Sequence, residues 1–251
     1  MKALITGASS GIGKHMAYAL AKRNIDLVLV ARTKDKLEEL KRELTVNVEI
    51  IVLDLLKKEN VYKLYEMTKD LDLDIVINNA GFGLFGLFAE TDLDRELEMI
   101  DLNIVAYHIL TKLYLEDFLK KDKGYILNVC SSAGFMAGPR LSTYYATKNY
   151  ITKLTLAIHE ELRQRGSKVY IGALCPGPVS TNFNKVAHGE FSIKEADPAF
   201  VAEYAIKNMF KRKMLIIPTL RMKLALFLNR LAPLKLQLLI TYHIQGKKLK
   251  K

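Results

Sequence analysis

The segment STYYATK, residues 142–148, sets two tyrosines side by side with a lysine shortly after. A phenol ordinarily titrates near pH 10 and trades protons at neutral pH only where a nearby cation stabilises its anion. Tyr144 lies four residues before Lys148 and Tyr145 three before it, so on a helix either phenol can share a face with the ammonium. A second candidate lies at the other end of the chain. The run TGASSGIG, Thr6 to Gly13, carries glycines at 7, 11 and 13, which let a chain turn sharply and bring backbone amides close to a bound anion. Its spacing is not GxGxxG, and a glycine-rich turn can also serve sterics alone.

The elements around these residues give them a context. Residues 2–6, 26–31, 48–53, 73–78, 124–130, 168–175 and 213–217 are short, apolar and rich in β-branched side chains, and read as buried strands. Amphipathic stretches separate them, such as residues 33–44, where Leu37, Leu40 and Leu44 mark one face. Strict alternation of strand and helix, with strands too apolar to leave a face in water, predicts a Rossmann-type doubly wound α/β fold: a mainly seven-stranded parallel sheet covered on both sides. The glycine turn then follows the first strand and opens a helix, where a dinucleotide's pyrophosphate sits in such folds. At the end of the second strand Ala31 stands where an acid would hold a ribose hydroxyl, and Arg32 follows it. An arginine there accommodates a 2′-phosphate and favours NADP(H). Asp54, at the end of the third strand, can reach the adenine or cap the helix that starts near Lys57.

The 251 residues fit one domain, read as a catalytic unit over 1–217 with a helical extension over 218–251. No uncharged run approaches the roughly 20 residues that cross a bilayer, and the N-terminus lacks a signal-peptide pattern. With Cys130 and Cys175 read as buried free thiols, the expected location is the cytoplasm. The net charge is +11. After Glu203 there is no acidic residue, while twelve lysines and arginines follow, so the entire excess sits in the tail.

Taken together, the motifs closely resemble those of the short-chain dehydrogenase/reductase family over roughly residues 2–217. The family's glycine turn is Thr6 to Gly13, its NNAG segment Asn78 to Gly81, its helix asparagine Asn103, its serine Ser131, its YxxxK Tyr144 to Lys148, and its nicotinamide-side loop Pro176 to Thr181. That pattern selects Tyr144 over Tyr145, and Ser131 over Ser132. The resemblance implies Asn103, Ser131, Tyr144 and Lys148 as catalytic. It implies cofactor contacts from Gly7, Ser9, Ser10, Gly11, Ile12, Gly13, Arg32, Asp54, Leu55, Asn79, Ala80, Gly81, Tyr144, Lys148, Pro176, Gly177, Val179 and Thr181. Tyr144 would protonate the alkoxide formed by hydride transfer, Lys148 would lower its pKa and hold the nicotinamide ribose, Ser131 would bind the substrate oxygen, and Asn103 would hold a relay water. The expected reaction is NADPH-dependent reduction of a ketone or aldehyde, lipophilic or acyl-type, since the sequence is similar to the branch containing long-chain 3-oxoacyl reductases and steroid or retinoid dehydrogenases. The alternative is a non-catalytic NADP-binding redox-sensing or assembly module, which has no need of all four catalytic residues.

Two regions carry no motif. Substrate choice is expected in Asn182 to Asp197 and in the C-terminus. The tail from Leu220 reads as two apolar, basic helices hinged at Pro233, which pack on the core or a second subunit, or settle on anionic lipid. The family implies a homodimer or homotetramer through helices near 92–119 and 142–165. Nucleic acid is not an expected partner, because the basic stretch lacks any binding fold for it. No metal site is expected: HEEL at His159 begins a zinc-helix pattern, but Arg163 stands where the second histidine would be.

Overall fold

A computed structural model of the chain describes residues 1–181, 183 and 195–246. Most of the expected substrate loop and the lysines at 247, 248, 250 and 251 lie outside the described residues.

Seven parallel strands form one sheet in the order β3-β2-β1-β4-β5-β6-β7: β1 (Lys2–Thr6), β2 (Asp26–Ala31), β3 (Val48–Val52), β4 (Ile75–Asn78), β5 (Tyr125–Val129), β6 (Tyr170–Leu174) and β7 (Leu215–Ile216). Parallel neighbours need crossovers, and here helices supply them: α1 (Gly11–Ala21), α2 (Lys34–Glu43), α3 (Lys58–Thr68), α4 (Leu93–Ile100), α5 (Tyr107–Lys120), α6 (Ser142–Gln164) and α7 (Pro198–Phe210). Successive side chains of each strand feed opposite faces. Leu27 and Leu29 join α1, α2 and α7 in one core, while Val28 and Val30 join α3 and α5 in the other. Leu37 and Leu40 of α2 are fully buried, and each such leucine contributes about 1.5–3 kcal/mol.

Sheet order reverses between β1 and β4, which leaves a crevice beyond their C-terminal ends. Beneath it lies a buried polar chain: Asn78 donates to Asn128 at 2.9 Å, and Asn128 donates to Thr155 at 2.9 Å. These bonds tie β4, β5 and α6 together where an apolar core would leave their relative positions less specified.

After β7 come α8 (Leu220–Leu231) and α9 (Leu234–Gly246), broken at Ala232 and Pro233 as the sequence predicts. Thr219 caps α8 by accepting a bond from the Met222 amide. The two helices contribute no residue to the sheet's cores. They lie instead along the crevice.

Candidate active site

The first turn after β1 is shaped by Asn79. Its amide donates to the carbonyls of Thr6 (2.9 Å) and Gly7 (3.2 Å), locking the end of β4 against the turn. A Cβ on Gly13 would stand 2.5 Å from that amide nitrogen, and one on Gly7, at φ +67°, would stand 2.8 Å from Ala80 Cα. Any other residue would push the two strand ends apart. Ser10 precedes α1 without a side-chain cap, and no acid occupies the first turn. The helix therefore presents uncapped amides and the positive end of its dipole to the crevice.

At the far side of the crevice, β5 ends at Val129, and Cys130 and Ser131 continue in extended chain. Ser131 is fixed by accepting a bond from the Ala133 amide at 3.1 Å, in the short 3₁₀ turn Ser132–Phe135. Helix α6 carries Tyr144 and Lys148 on one face. Lys148 is almost fully buried; its Nζ donates to the Val129 carbonyl at 3.0 Å and lies 5.9 Å from the Tyr144 ring centroid and 5.3 Å from that of Tyr107. Burial dominates the electrostatics. It pushes Lys148 down to about 8 and raises Tyr144 well above its ordinary value, with the Ser131 hydroxyl opposing the rise. The expected lowering of Tyr144 by Lys148 does not figure among the causes of its shift, which burial leads. Both free thiols are buried and interact with the Lys148 charge, and burial raises Cys175 well above its ordinary value.

Asn103 occupies a single π-helical turn, Asp101–Ala106, between α4 and α5. Its amide donates to the Phe82 carbonyl (2.9 Å) and to Thr147 (3.1 Å), and its oxygen accepts from the Phe82 amide (3.2 Å). The side chain is therefore fully engaged in clamping the NNAG segment to α6, next to Lys148.

A cleft of about 680 Å³ runs along the crevice, within the range for small-molecule sites. Gly7, Ser9, Ser10, Gly11, Ile12, Arg32, Asp54, Leu55, Asn79, Ala80, Gly81, Ser131, Tyr144, Lys148, Pro176, Gly177, Val179 and Thr181 all line it. Of the implied catalytic and cofactor-contacting residues, Gly13 and Asn103 lie behind its wall, the first under the turn and the second under Gly81. Asp54 does not cap α3: its carboxylate accepts from the Leu56 amide at 3.2 Å, and α3 begins after an uncapped Lys57. His159, the would-be zinc ligand, pairs with the Ile171 carbonyl at 2.7 Å.

Other lining residues carry no motif. Phe183 packs on Tyr144 with centroids 5.2 Å apart, and the Arg95 guanidinium lies 4.1 Å from the centroid of Phe82. Met222, Leu226, Ile240 and Ile244 bring α8 and α9 in as the apolar far wall. Gln245 of α9 donates to the Tyr145 hydroxyl, and Arg140 both donates to Tyr242 at 2.8 Å and stacks on its ring at 4.3 Å. Tyr145 is thus a wall residue held from the C-terminal helix. No local pattern reveals such a pair, since its members are 100 residues apart.

A parallel sheet in this order, with a glycine turn and a tyrosine–lysine helix meeting across the switch point, defines a dinucleotide-dependent oxidoreductase fold. The sequence profile described as short chain dehydrogenase matches residues 1–190, and this chain belongs to that family. Human very-long-chain 3-oxoacyl-CoA reductase is 31% identical over 82% of the chain and 68% of its own length. The duck enzyme of the same name is 32% identical, and the aligned segment spans 63% of its length. An uncharacterized oxidoreductase of Staphylococcus saprophyticus is 32% identical over 81% of this chain and 88% of its own. Among solved structures, a short-chain dehydrogenase from Sphingobium yanoikuyae in complex with NADPH superposes with a TM-score of 0.82 at 30% identity, covering 92% and 93% of the two chains.

Proposed function

We propose that this oxidoreductase reduces a lipophilic ketone with NADPH, and that 3-oxoacyl thioesters are the substrate class to test first. The observation that carries the reading is the single cleft in which the glycine turn, Arg32 and the Ser131–Tyr144–Lys148 group face an apolar wall from α8 and α9. The cofactor fits the residues present. Gly7 and Gly13 keep the turn free of Cβ atoms, the uncapped α1 amides suit the pyrophosphate, and exposed Arg32, preceded by Ala31 in place of an acid, suits a 2′-phosphate. The substrate class is suggested by the curated relatives named very-long-chain 3-oxoacyl-CoA reductase.

Held by the glycine turn, Arg32 and Lys148, a reduced nicotinamide dinucleotide would supply the hydride for the carbonyl carbon. Ser131 donates to the carbonyl oxygen as charge builds on it. Tyr144, fully protonated at neutral pH because burial raises it, gives its proton to the same oxygen, and the alcohol forms. Lys148 then stands beside the phenolate, and that new opposite charge favours its protonated form. Asn103 holds Phe82 and α6 at the spacing this group needs. The rim of Phe82, Phe183 and the α8–α9 wall excludes water from the reacting carbon.

The chain pairs with a second copy through α4, α5 and α6, on which Leu93, Leu97 and Tyr150 are exposed. Its free thiols suit a reducing compartment, the cytoplasm, and its basic tail a peripheral contact with anionic membrane. The test of the reading is an NADPH and NADH titration of the wild type and Arg32→Ala, followed by turnover of 3-oxoacyl thioesters of increasing length. NADPH preference that collapses in the variant, with turnover rising with chain length, is expected; binding of neither nucleotide sinks the reading.

A further inference from the structure

The outer face of the C-terminal hairpin is as apolar as its inner one. On α8, Leu220, Leu224, Phe227 and Leu231 recur at helical spacing and are 80%, 57%, 60% and 69% exposed. On α9, Leu236 and Leu239 continue the strip at 47% and 58%. Scattered apolar side chains on a surface need no explanation, but a contiguous strip over two successive helices does. Arg221, Lys223, Arg230 and Lys235 flank it, and no acid follows Glu203 anywhere in the chain.

We propose that this face seats the protein on an anionic membrane, and that lipophilic substrate reaches the cleft from the lipid through the hairpin. The second clause rests on the ketone-reductase reading above; the first does not. Charge selects the occupant. A second copy docked face to face would bring eight like charges together with no carboxylate in either tail to offset them, whereas anionic headgroups complement all of them. No helix among the described residues is long and apolar enough to cross a bilayer, so the hairpin lies in the interface plane, leucines down and cations level with the headgroups. The same helices supply Met222, Leu226, Ile240 and Ile244 to the cleft. Only one layer of helix therefore separates the docked face from the substrate wall, and the Ala232–Pro233 break lies between its two halves.

The test is flotation of the full chain, without substrate, on vesicles of phosphatidylcholine alone or with phosphatidylglycerol. Wild type is expected to float with the anionic vesicles and not with the neutral ones. Leu224→Glu/Phe227→Glu/Leu231→Glu, whose side chains lie outside the cleft, is expected to lose flotation while keeping NADPH affinity, which also reports correct folding. Arg221→Gln/Arg230→Gln is expected to weaken binding about tenfold or more. Equal recovery of wild type and the triple variant from anionic vesicles overturns the proposal. So does a triple variant that only converts a dimer to a monomer, since the face would then belong to a second copy. With vesicle-embedded ketone, wild type should outpace the triple variant at least tenfold, while the two match on a short water-soluble ketone. Flotation without this difference overturns the delivery route alone, and loss of both activities with flotation intact points to failure of the reductase reading.

Discussion

Two side chains on one face of α6 divide the chemistry, and their burial sets what each can do. Replacing Tyr144 with Phe removes the proton donor at almost constant volume. Turnover should fall about 10²–10⁴-fold while NADPH still binds, which single-turnover kinetics beside a fluorescence titration will check. Lys148 gives a thermodynamic signature as well. Its pKa falls from 10.5 unfolded to about 8 folded, so the cost of burying its charge is fully present below pH 8 and is relieved as pH rises from 8 towards 10.5. Lys148→Met should therefore be more stable than wild type at pH 7, by on the order of 1–3 kcal/mol, with the gap closing by pH 10; paired urea melts across that range measure it. Tyr145 illustrates what its own segment cannot tell. It stands beside Tyr144 in sequence with the same chemistry, and only the bond from Gln245 in α9 makes it a wall.

Among the elements, legibility followed the range of the forces involved. Strand positions came from apolar runs alone, because strands buried on both faces leave a continuous signal; β1 and β2 begin and end where the sequence predicts. The α8–α9 break was equally plain, since proline and the preceding residue resist helix. What stayed hidden were features set by contacts between distant segments. Asn103 was legible as a site residue through its family pattern, yet its clamping bonds to Phe82 and Thr147 and the π-turn that carries it were not. Asp54 had two local readings, and its bond to the Leu56 amide removed the capping one. The glycine turn makes a prediction at this scale. Gly13→Ala forces a Cβ to 2.5 Å from Asn79 Nδ2 and from the Gly7 carbonyl, so it should cost about 1–3 kcal/mol in a denaturant melt and abolish NADPH binding together.

Over the whole molecule, the cleft joins parts that otherwise share little: turn and arginine from the first half of the sheet, tyrosine and lysine from the second, and a wall from the tail. A ligand spanning them ties them thermodynamically. NADPH at about a hundred times its dissociation constant should add about 2.7 kcal/mol and raise the melting temperature by roughly 5–10 °C, with a smaller shift from equimolar NADH; a thermal-shift series reads both. Charge is just as unevenly distributed, near neutral over the sheet and strongly positive in the tail, so the tail's distinct character is legible in the sequence alone. Its two-sided apolarity was not visible, because a helical period alone does not say which stripe faces the cleft.

The bond between Gln245 and Tyr145 also sets an order of events during synthesis. Translation at about 5–20 residues per second leaves roughly 5–20 s between the two residues, which lie 100 apart. In that interval the strands through β6 can associate as they emerge, while Tyr145 still lacks its tether and the cleft still lacks its far wall. A nascent chain can thus be largely folded before its substrate wall is in place, and a premature stop within α9 would release a protein with its sheet intact and that wall unfinished.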